Sequence, residues 1–386
     1  MEKNADLMEK IVSLCKRRGF VYPSSEIYGG FSGFWHYGHY GAILKENIKC
    51  FWKQNFIFDR DDVFVTDTSI ISNPKVLETS GHVTNFGNEI FKTTVGTGEE
   101  AVTSYLRPET AQSIFIDFKN VVDTHHPTLP FGIAQVGKAF RNEISPRDFI
   151  FRDRELEQME VEYFIRENDW EKYFEEWRGA MKNFADEVGI NKIHELEVSV
   201  DDRAHYSKRT IDFQFDWPFG IGELWGLAYR TDFDLKNHRL DYFDEESGTR
   251  FIPHVIEPSM GVERTMLAVL LSAYTEDELG GEKRVYLKLN KKIAPIRAAV
   301  FPLLKNKPEL VNKAREIYDS LKKEFKCEFD DNGNIGKRYR RQDEIGTPYC
   351  ITVDFDTLED NAVTVRDRDT GEQKRVKIDD LKETIL

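Results

Sequence analysis

The stretch that most restricts what this chain can fold into is residues 140–164, FRNEISPRDFIFRDRELEQMEVEYF. Just upstream, residues 132–143 alternate, so that Gln135, Arg141 and Glu143 share one side while Ala134, Val136 and Phe140 share the other. The alternation returns downstream, where Met159, Val161, Tyr163 and Ile165 form an apolar face and Gln158, Glu160 and Glu162 a polar one. Residues 144–151 between the two runs carry a proline and an arginine, which suits a loop joining antiparallel strands. The pattern predicts a hairpin with a charged floor and an arginine-bearing loop above it. A solvated sheet edge with cross-strand ion pairs shows the same alternation, so the rest of the chain must decide between a surface and a site.

At 386 residues the chain is long enough for two or three domains with sizeable cores. No run approaches the roughly 18 uninterrupted apolar residues of a membrane span, and the N-terminal MEKNADLMEK has no apolar signal core, so no membrane partner and a cytoplasmic location are expected. Cys15, Cys50, Cys327 and Cys350 stand far apart without a C-x-x-C, which points away from a disulfide framework or a sequence-local zinc site and toward buried small hydrophobes. A net charge of -14 excludes gripping nucleic acid with the whole surface. Local basic stretches remain at residues 283–292 and at GKRYRR, residues 336–341.

Along the chain, apolar spacing predicts helices over residues 4–18 and 42–56, a strand over 63–71 and a break at Asn73-Pro74. The Gly- and aromatic-rich residues 19–41 suit a pocket wall or a packed loop equally. Residues 107–113, RPETAQS, lead into a helix with Thr110 as its N-cap and Glu109 just before it, a capping turn being the plain alternative to a site. Residues 170–184 carry a core-facing helical stripe ending at Gly189. Strands are expected at 210–216 and 221–230, with Glu223 and Arg230 on opposite faces unless Gly226 permits a bulge. A strand over 251–257, then Pro258-Ser259-Met260-Gly261 and a helix follow, with Arg264 in the first helical turns; a cation there implies a nearby anion. Residues 280–292 read as a linker, and beyond them strands at 297–301, 327–329, 349–355 and 363–367 with a helix at 308–325 compose a small α/β unit.

Eight strings now stand in a specific order: YPSSEIYGG (22–30), ISNPKVLETSGHV (71–83), RPETAQ (107–112), FRNEISPRDFIFRDRE (140–155), EQMEVEYF (157–164), RTDFDL (230–235), HVIEPSMGVER (254–264) and GNIGKRYRRQDEIGTPYCITVDFDT (333–357). With them the chain resembles a class II aminoacyl-tRNA synthetase, and most closely a dimeric-type glycyl-tRNA synthetase, over nearly its whole length. The resemblance implies an α+β catalytic domain on an antiparallel sheet flanked by helices, residues 1–290, and an α/β anticodon-binding domain, residues 291–386. It implies ATP as a substrate with Mg2+, no zinc, glycine and tRNA-Gly as the other substrates, and a homodimer formed around Pro74. Arg141 and Arg264 would be catalytic. Arg141, Asn142, Glu143, Arg152, Leu156, Glu223, Leu224 and Arg264 would bind ATP, and Glu109, Arg141, Glu160, Glu257 and Ser259 would bind glycine. Glu257 is also a candidate magnesium ligand, and Lys337, Arg338, Arg340 and Arg341 are candidate tRNA contacts. Attack of one anion on another requires positioning and charge dispersal, which arginine forks supply. Three carboxylates around one ammonium are expected to hold a proton or cation more readily than isolated acids.

The chain departs from the family pattern in four ways. Only residues 84–106 fill the gap before RPETAQ, where the family has a long insertion; His36 and His39 replace an Asp and a Pro, Leu156 an adenine-stacking Phe, and Ser113 a Gly. Two other readings remain at this point: a synthetase-like accessory protein without catalysis, and a related class II synthetase for another amino acid.

Overall fold

The computed structural model describes residues 2–86, 89–204 and 206–386, so the shortened stretch 84–106 falls partly outside them. The chain divides into two compact units: the first is Pro23–Trp35 with Ile48–Ala268, and the second is Glu2–Tyr22 and His36–Asn47 with Val269–Leu386. In this grouping the segments Glu2–Tyr22 and His36–Asn47 cluster with Val269–Leu386. Contacts explain the grouping: Arg17 donates to Glu344 at 3.1 Å, and Asn47 donates to the carbonyls of Ile293 and Ala294 at 3.1 and 3.0 Å.

The first unit is built on a seven-stranded sheet in the order Val63–Val65, Phe131–Phe140, Glu155–Ile165, His254–Gly261, Gly220–Thr231, Arg209–Trp217, Ile193–Glu197. Every pairing is antiparallel except the first, which is parallel. The alternating runs of the opening hairpin pair in register, Gln135 opposite Glu160 and Ala134 opposite Val161, so the Ala134 face is apolar while the Gln135 face carries Glu160 and Glu162 and turns apolar at its far end with Phe131, Ile133 and Phe164. The helix Trp170–Val188 puts Phe174, Trp177, Met181 and Phe184 into the core and ends at Gly189. A second core forms where Ile114, Phe115 and Phe118 of the helix Ala111–His125 meet Phe131, Ile133 and Phe164.

Several expectations need correction. The strand over residues 63–71 is two short strands, Val63–Val65 and Ile71–Ser72, which pair in different sheets. The first hairpin strand stops at Phe140, so Arg141 and Glu143 lie on the loop. The strand expected over residues 251–257 is His254–Gly261, which runs through Pro258 into the helix Val262–Ala273. Proline has no N–H to donate, and the ladder to the neighbouring strand is interrupted there, between Ile256–Tyr163 and Ser259–Glu160. The bulge expected at Gly226 occurs elsewhere: Leu224 has no partner in the pairing with the Arg209–Trp217 strand, nor Arg230 in the pairing with His254–Gly261. Gly226 itself is paired with both Asp212 and Ser259.

The supposed linker is a β-hairpin, Tyr274–Leu279 with Glu282–Leu287, turning at Gly280 and Gly281. Both take positive φ, 63° and 80°, as a tight two-residue connection demands. In the second unit a five-stranded sheet runs in the order Cys327–Phe329, Ala298–Pro302, Tyr349–Val353, Ala362–Asp367, Gln373–Lys377. Its core gathers Val300, Leu310, Ile317, Ile351 and Val363. The basic stretch of residues 336–341 lies on the helix Ile335–Ile345, capped by the Asn334 side chain. Cys15 and Cys350 are buried and Cys327 partly so, but Cys50 is exposed, contrary to the expectation for all four.

Candidate active site

Polar residues of three neighbouring strands converge on one face of the first unit's sheet. Ser259 lies opposite Glu160 on one side and Gly226 on the other, and Glu257 lies opposite Ala228. The loop before the helix Ala111–His125 adds Glu109 and Thr110. Thr110 occupies the N-cap position but does not cap the helix: its hydroxyl donates to Glu160 and its N–H to the Gln158 side-chain oxygen at 3.2 Å.

Glu160 is thereby held by donors at both oxygens, Gln158 Nε2 at 2.7 Å and Ser259 Oγ at 2.6 Å on Oε1, Thr110 on Oε2. Arg230 sits behind it, buried, bidentate to Asp234 at 2.8 and 3.0 Å and donating to Glu257 at 2.8 Å. Its guanidinium also lies 3.8 Å from the Tyr206 ring centre. Gln112 joins this network by donating to Asp234 at 2.9 Å, and His238 lies 3.0 Å from its oxygen. Glu109 is met by His82 Nε2 at 3.2 Å.

The carboxyls of this pocket do not titrate alike. Burial and the neighbouring Glu109 charge raise Glu160, although Ser259, Thr110 and Arg141 pull the other way. Burial, with Glu160 and Glu109 adding to it against Arg230, pushes Glu257 up to about 8. Burial works in the same sense on Glu109 but is outweighed by His82, Arg230 and Arg141, which hold it well below the usual carboxylate range. The three acids were expected to behave as one group; the cationic neighbours of Glu109 separate it from the others. Glu162 is fully buried, neither of its oxygens has a hydrogen-bond partner, and burial beside Glu257 raises it far above an ordinary carboxyl. Glu257 is hydrogen-bonded to the Arg230 guanidinium, whereas Arg230 acts on Glu162 only through space, so the upward push of burial on Glu162 is not opposed by a hydrogen bond.

A second cavity, a cleft of about 680 Å³, opens beside the first and is lined by Arg141, Glu143, Phe151, Arg152, Leu156, Glu223, Leu224, Glu263 and Arg264 among others. Arg141, Gln158, Glu223 and Ser259 line both cavities. Arg141 Nε donates to the Pro108 carbonyl at 3.0 Å, which aims its fork from the loop into the space between them. Arg152 and Glu143, expected to contact different parts of one nucleotide, here pair with each other at 2.7 Å. The anion that Arg264 required is Glu223, at 3.0 Å, and the guanidinium lies over the Phe151 ring at 4.6 Å. Asn142 stands apart from the cleft lining, its backbone N–H donating to Glu89 O at 2.8 Å. Glu257 lines the acidic pocket, where its carboxylate and those of Glu160 and Glu162 offer oxygens within 4.8 Å of one another, a group that could hold a metal ion.

Sequence reading missed several residues of this site. Arg230 and Asp234 are four apart in RTDFDL, but their shared role depends on the bulge at Arg230; His82, Tyr206 and Gln112 reach the pocket from distant segments. Arg107, inviting as a catalytic arginine, is structural. Buried, it donates to the Lys138 carbonyl at 2.6 Å and to Thr68 Oγ1 at 2.7 Å. A Cβ on Gly137 would stand 2.3 Å from its guanidinium, so glycine is needed there. In the second unit Arg338 is interior, donating to the carbonyls of Pro302, Asp331 and Gly333, and does not present itself to a phosphate. Lys337 is exposed, Arg340 pairs with Glu282 at 3.2 Å, and Arg341 pairs with Asp330.

Comparison with known proteins places this geometry. Residues 91–273 match the tRNA synthetase class II core domain (G, H, P, S and T), and residues 297–386 match the Anticodon binding domain. A glycine--tRNA ligase of Thermobifida fusca (strain YX) is 43% identical, covering 99% of this chain and 98% of the relative. One from Clostridium acetobutylicum is 42% identical, covering 98% of each. The first match runs over 454 positions against 386 residues here, so at least 68 positions of it have no counterpart in this chain. Among solved structures, a Giardia lamblia prolyl-tRNA synthetase in complex with prolyl-adenylate shares the fold with a TM-score of 0.78 at 18% identity, covering 98% of this chain and 76% of that one. With identity above 40% sustained over almost every residue, the chain belongs to the glycine--tRNA ligase family.

Proposed function

We propose that this chain activates glycine with ATP and transfers the glycyl group to the 3′ end of tRNA-Gly. The observation that carries the reading is the place of Arg141, on the wall shared by an acidic pocket and an arginine-lined cleft. In that arrangement glycine lies with its ammonium toward Glu109, Glu160 and Glu257 beside Ser259, and its carboxylate toward Arg141. ATP occupies the cleft, with its α-phosphate on the same arginine, its β- and γ-phosphates toward Arg152 and Arg264, and its adenine near Glu143, Leu156 and Leu224.

A carboxylate oxygen of glycine forms the new bond to the α-phosphorus, the bond from that phosphorus to the β-bridging oxygen breaks, and diphosphate departs with the electron pair. A ribose hydroxyl of the tRNA then attacks the glycyl carbonyl, AMP leaves, and the hydroxyl proton passes to a phosphate oxygen or water. Arg141 serves both charges at the reacting centre without moving, since its Nε is already fixed by Pro108. The Arg152–Glu143 and Arg264–Glu223 pairs are partly exposed and exchange their partners for phosphate and adenine groups.

Magnesium takes hard oxygen donors and few of them when phosphates supply the rest, and Glu223 and Glu263 in the cleft fit that demand. When bound, the ion neutralises the departing diphosphate. Residues 1–290 are assigned to catalysis and 291–386 to the anticodon, with Lys337, Arg340 and Arg341 as phosphate contacts on the latter. A cytoplasmic homodimer formed around Pro74 is part of the same reading; Ile70, Ile71 and Ile116, exposed near that segment, suit a covered face.

Glycine-dependent exchange of diphosphate into ATP, measured with each of the twenty amino acids, tests the function. Exchange with glycine alone is expected. No exchange with any amino acid, with tRNA still bound, would leave an accessory protein as the reading.

A further inference from the structure

Behind the Glu109 carboxylate runs a short polar chain from a segment that contributes nothing else to the pocket. Ser80 Oγ lies 2.7 Å from His82 Nδ1, and His82 Nε2 lies 3.2 Å from Glu109 Oε1. Ser80 and His82 are buried, at 5% and 6% exposure, so water does not compete for these contacts. Gln112 also comes within 3.4 Å of Glu109 Oε1, but it is more closely committed to Asp234 at 2.9 Å. The direction in which Glu109 points thus depends chiefly on the His82 ring.

We propose that His82 is a positioning residue for the glycine ammonium: Ser80 anchors the ring at Nδ1, and Nε2–H holds the Glu109 carboxylate turned toward the amino-acid pocket. A neutral imidazole donates at one nitrogen and accepts at the other, and a protonated one donates at both. Ser80 Oγ also donates to the Leu77 carbonyl at 3.3 Å, and an ionised carboxylate can only accept, so Nε2 carries the hydrogen that faces Glu109 whichever way the Ser80 contact is made. The charged groups acting on Glu109 from other elements, Arg230 and Arg141, approach from the sheet and the hairpin loop, so the ring supplies what they do not, a directional bond from behind. The proposal rests on reading Glu109 as a glycine contact.

The test replaces the ring by amides that copy one nitrogen each. A glutamine amide reaches the position of Nε2, an asparagine amide that of Nδ1. Glycine and ATP affinities of the full chain are measured by calorimetry for His82→Gln, His82→Asn and His82→Ala. His82→Ala is expected to weaken glycine by about tenfold, the worth of one hydrogen bond to a charged group, with ATP changed less than about twofold. His82→Gln should recover most of the loss and His82→Asn little of it. Recovery by Asn as good as by Gln, or equal weakening of glycine and ATP, assigns the ring a merely structural role and overturns the proposal. If His82→Ala does not fold, the Gln and Asn variants decide alone. Should the unaltered chain bind no glycine, the reading of the pocket fails with it; glycine bound equally by both amide variants defeats the proposal only.

Discussion

The two cavities that meet at Arg141 are built on opposite principles. In the acidic pocket Arg230 is 1% exposed and its guanidinium is fully engaged by Asp234 and Glu257, while Glu160 has donors on both oxygens. In the cleft Arg152 is 42% exposed and answered by Glu143, and Glu223, 51% exposed, answers Arg264. A buried charge network resists rearrangement, because separating any member leaves an uncompensated charge in a poorly polarisable interior. Half-exposed pairs are held weakly and are screened, so they part at little cost when a phosphate arrives. On the proposed reading, glycine would meet the fixed pocket and ATP the pairs that open.

This contrast is open to direct attack. The largest effect is expected from Arg230→Met, which strands Asp234 and Glu257 in the interior: a loss of about 3–5 kcal/mol of stability in denaturant unfolding. Arg264→Ala should leave unfolding within about 0.5 kcal/mol of the unaltered chain, and a loss as large as that of Arg230→Met would erase the distinction. Next comes Arg141→Ala, which should lower glycine-dependent exchange by about 100-fold or more, on the scale of a lost charge-stabilising donor, with stability nearly unchanged.

A smaller effect is tied to pH. A carboxyl raised in the folded state binds its proton more tightly there than in the unfolded chain, so its contribution is present below the ordinary value of 4.5 and is lost as pH rises toward the folded value, about 8 in the case of Glu257. Glu162→Gln removes one such group. It should raise the melting temperature at pH near the top of that window, by about 1 kcal/mol or more of stability, and flatten the pH profile; an unchanged profile would mean that Glu162 holds no such proton. The smallest is Leu156→Phe, which restores a ring to the cleft wall and should tighten ATP by about 1 kcal/mol while leaving glycine affinity alone.

What the sequence disclosed and what it hid follow from the range of the interactions involved. The hairpin of residues 131–165 was legible because alternation is a property of neighbouring residues, and Gly189 announced the end of its helix for the same local reason. The Gly280–Gly281 pair was just as local a signal, yet composition around it suggested a linker, and the strands beside it have too few apolar residues to declare themselves. The helix Ile335–Ile345 was hidden by its basic run, although Asn334 and Gly346 mark both ends. Thr110 was correctly placed at a helix start and wrongly given the task of capping it, because Glu160, fifty residues away in sequence, is the stronger acceptor.

By itself the sequence determined the hairpin and the order of the strings that mark the family, and through that resemblance it nominated the acids and arginines of a glycine- and ATP-handling site. Only the tertiary structure decided how they share the work. The skipped positions at Leu224 and Arg230 turn Glu223 toward Arg264 and Arg230 toward Glu257, which strict alternation forbids. The interruption at Pro258 and the packing of segments far apart in sequence then set His82 against Glu109 and leave Glu162 without a partner. A side chain's identity is written locally, but its charge state and its aim depend on burial and on neighbours that only the folded chain brings within reach.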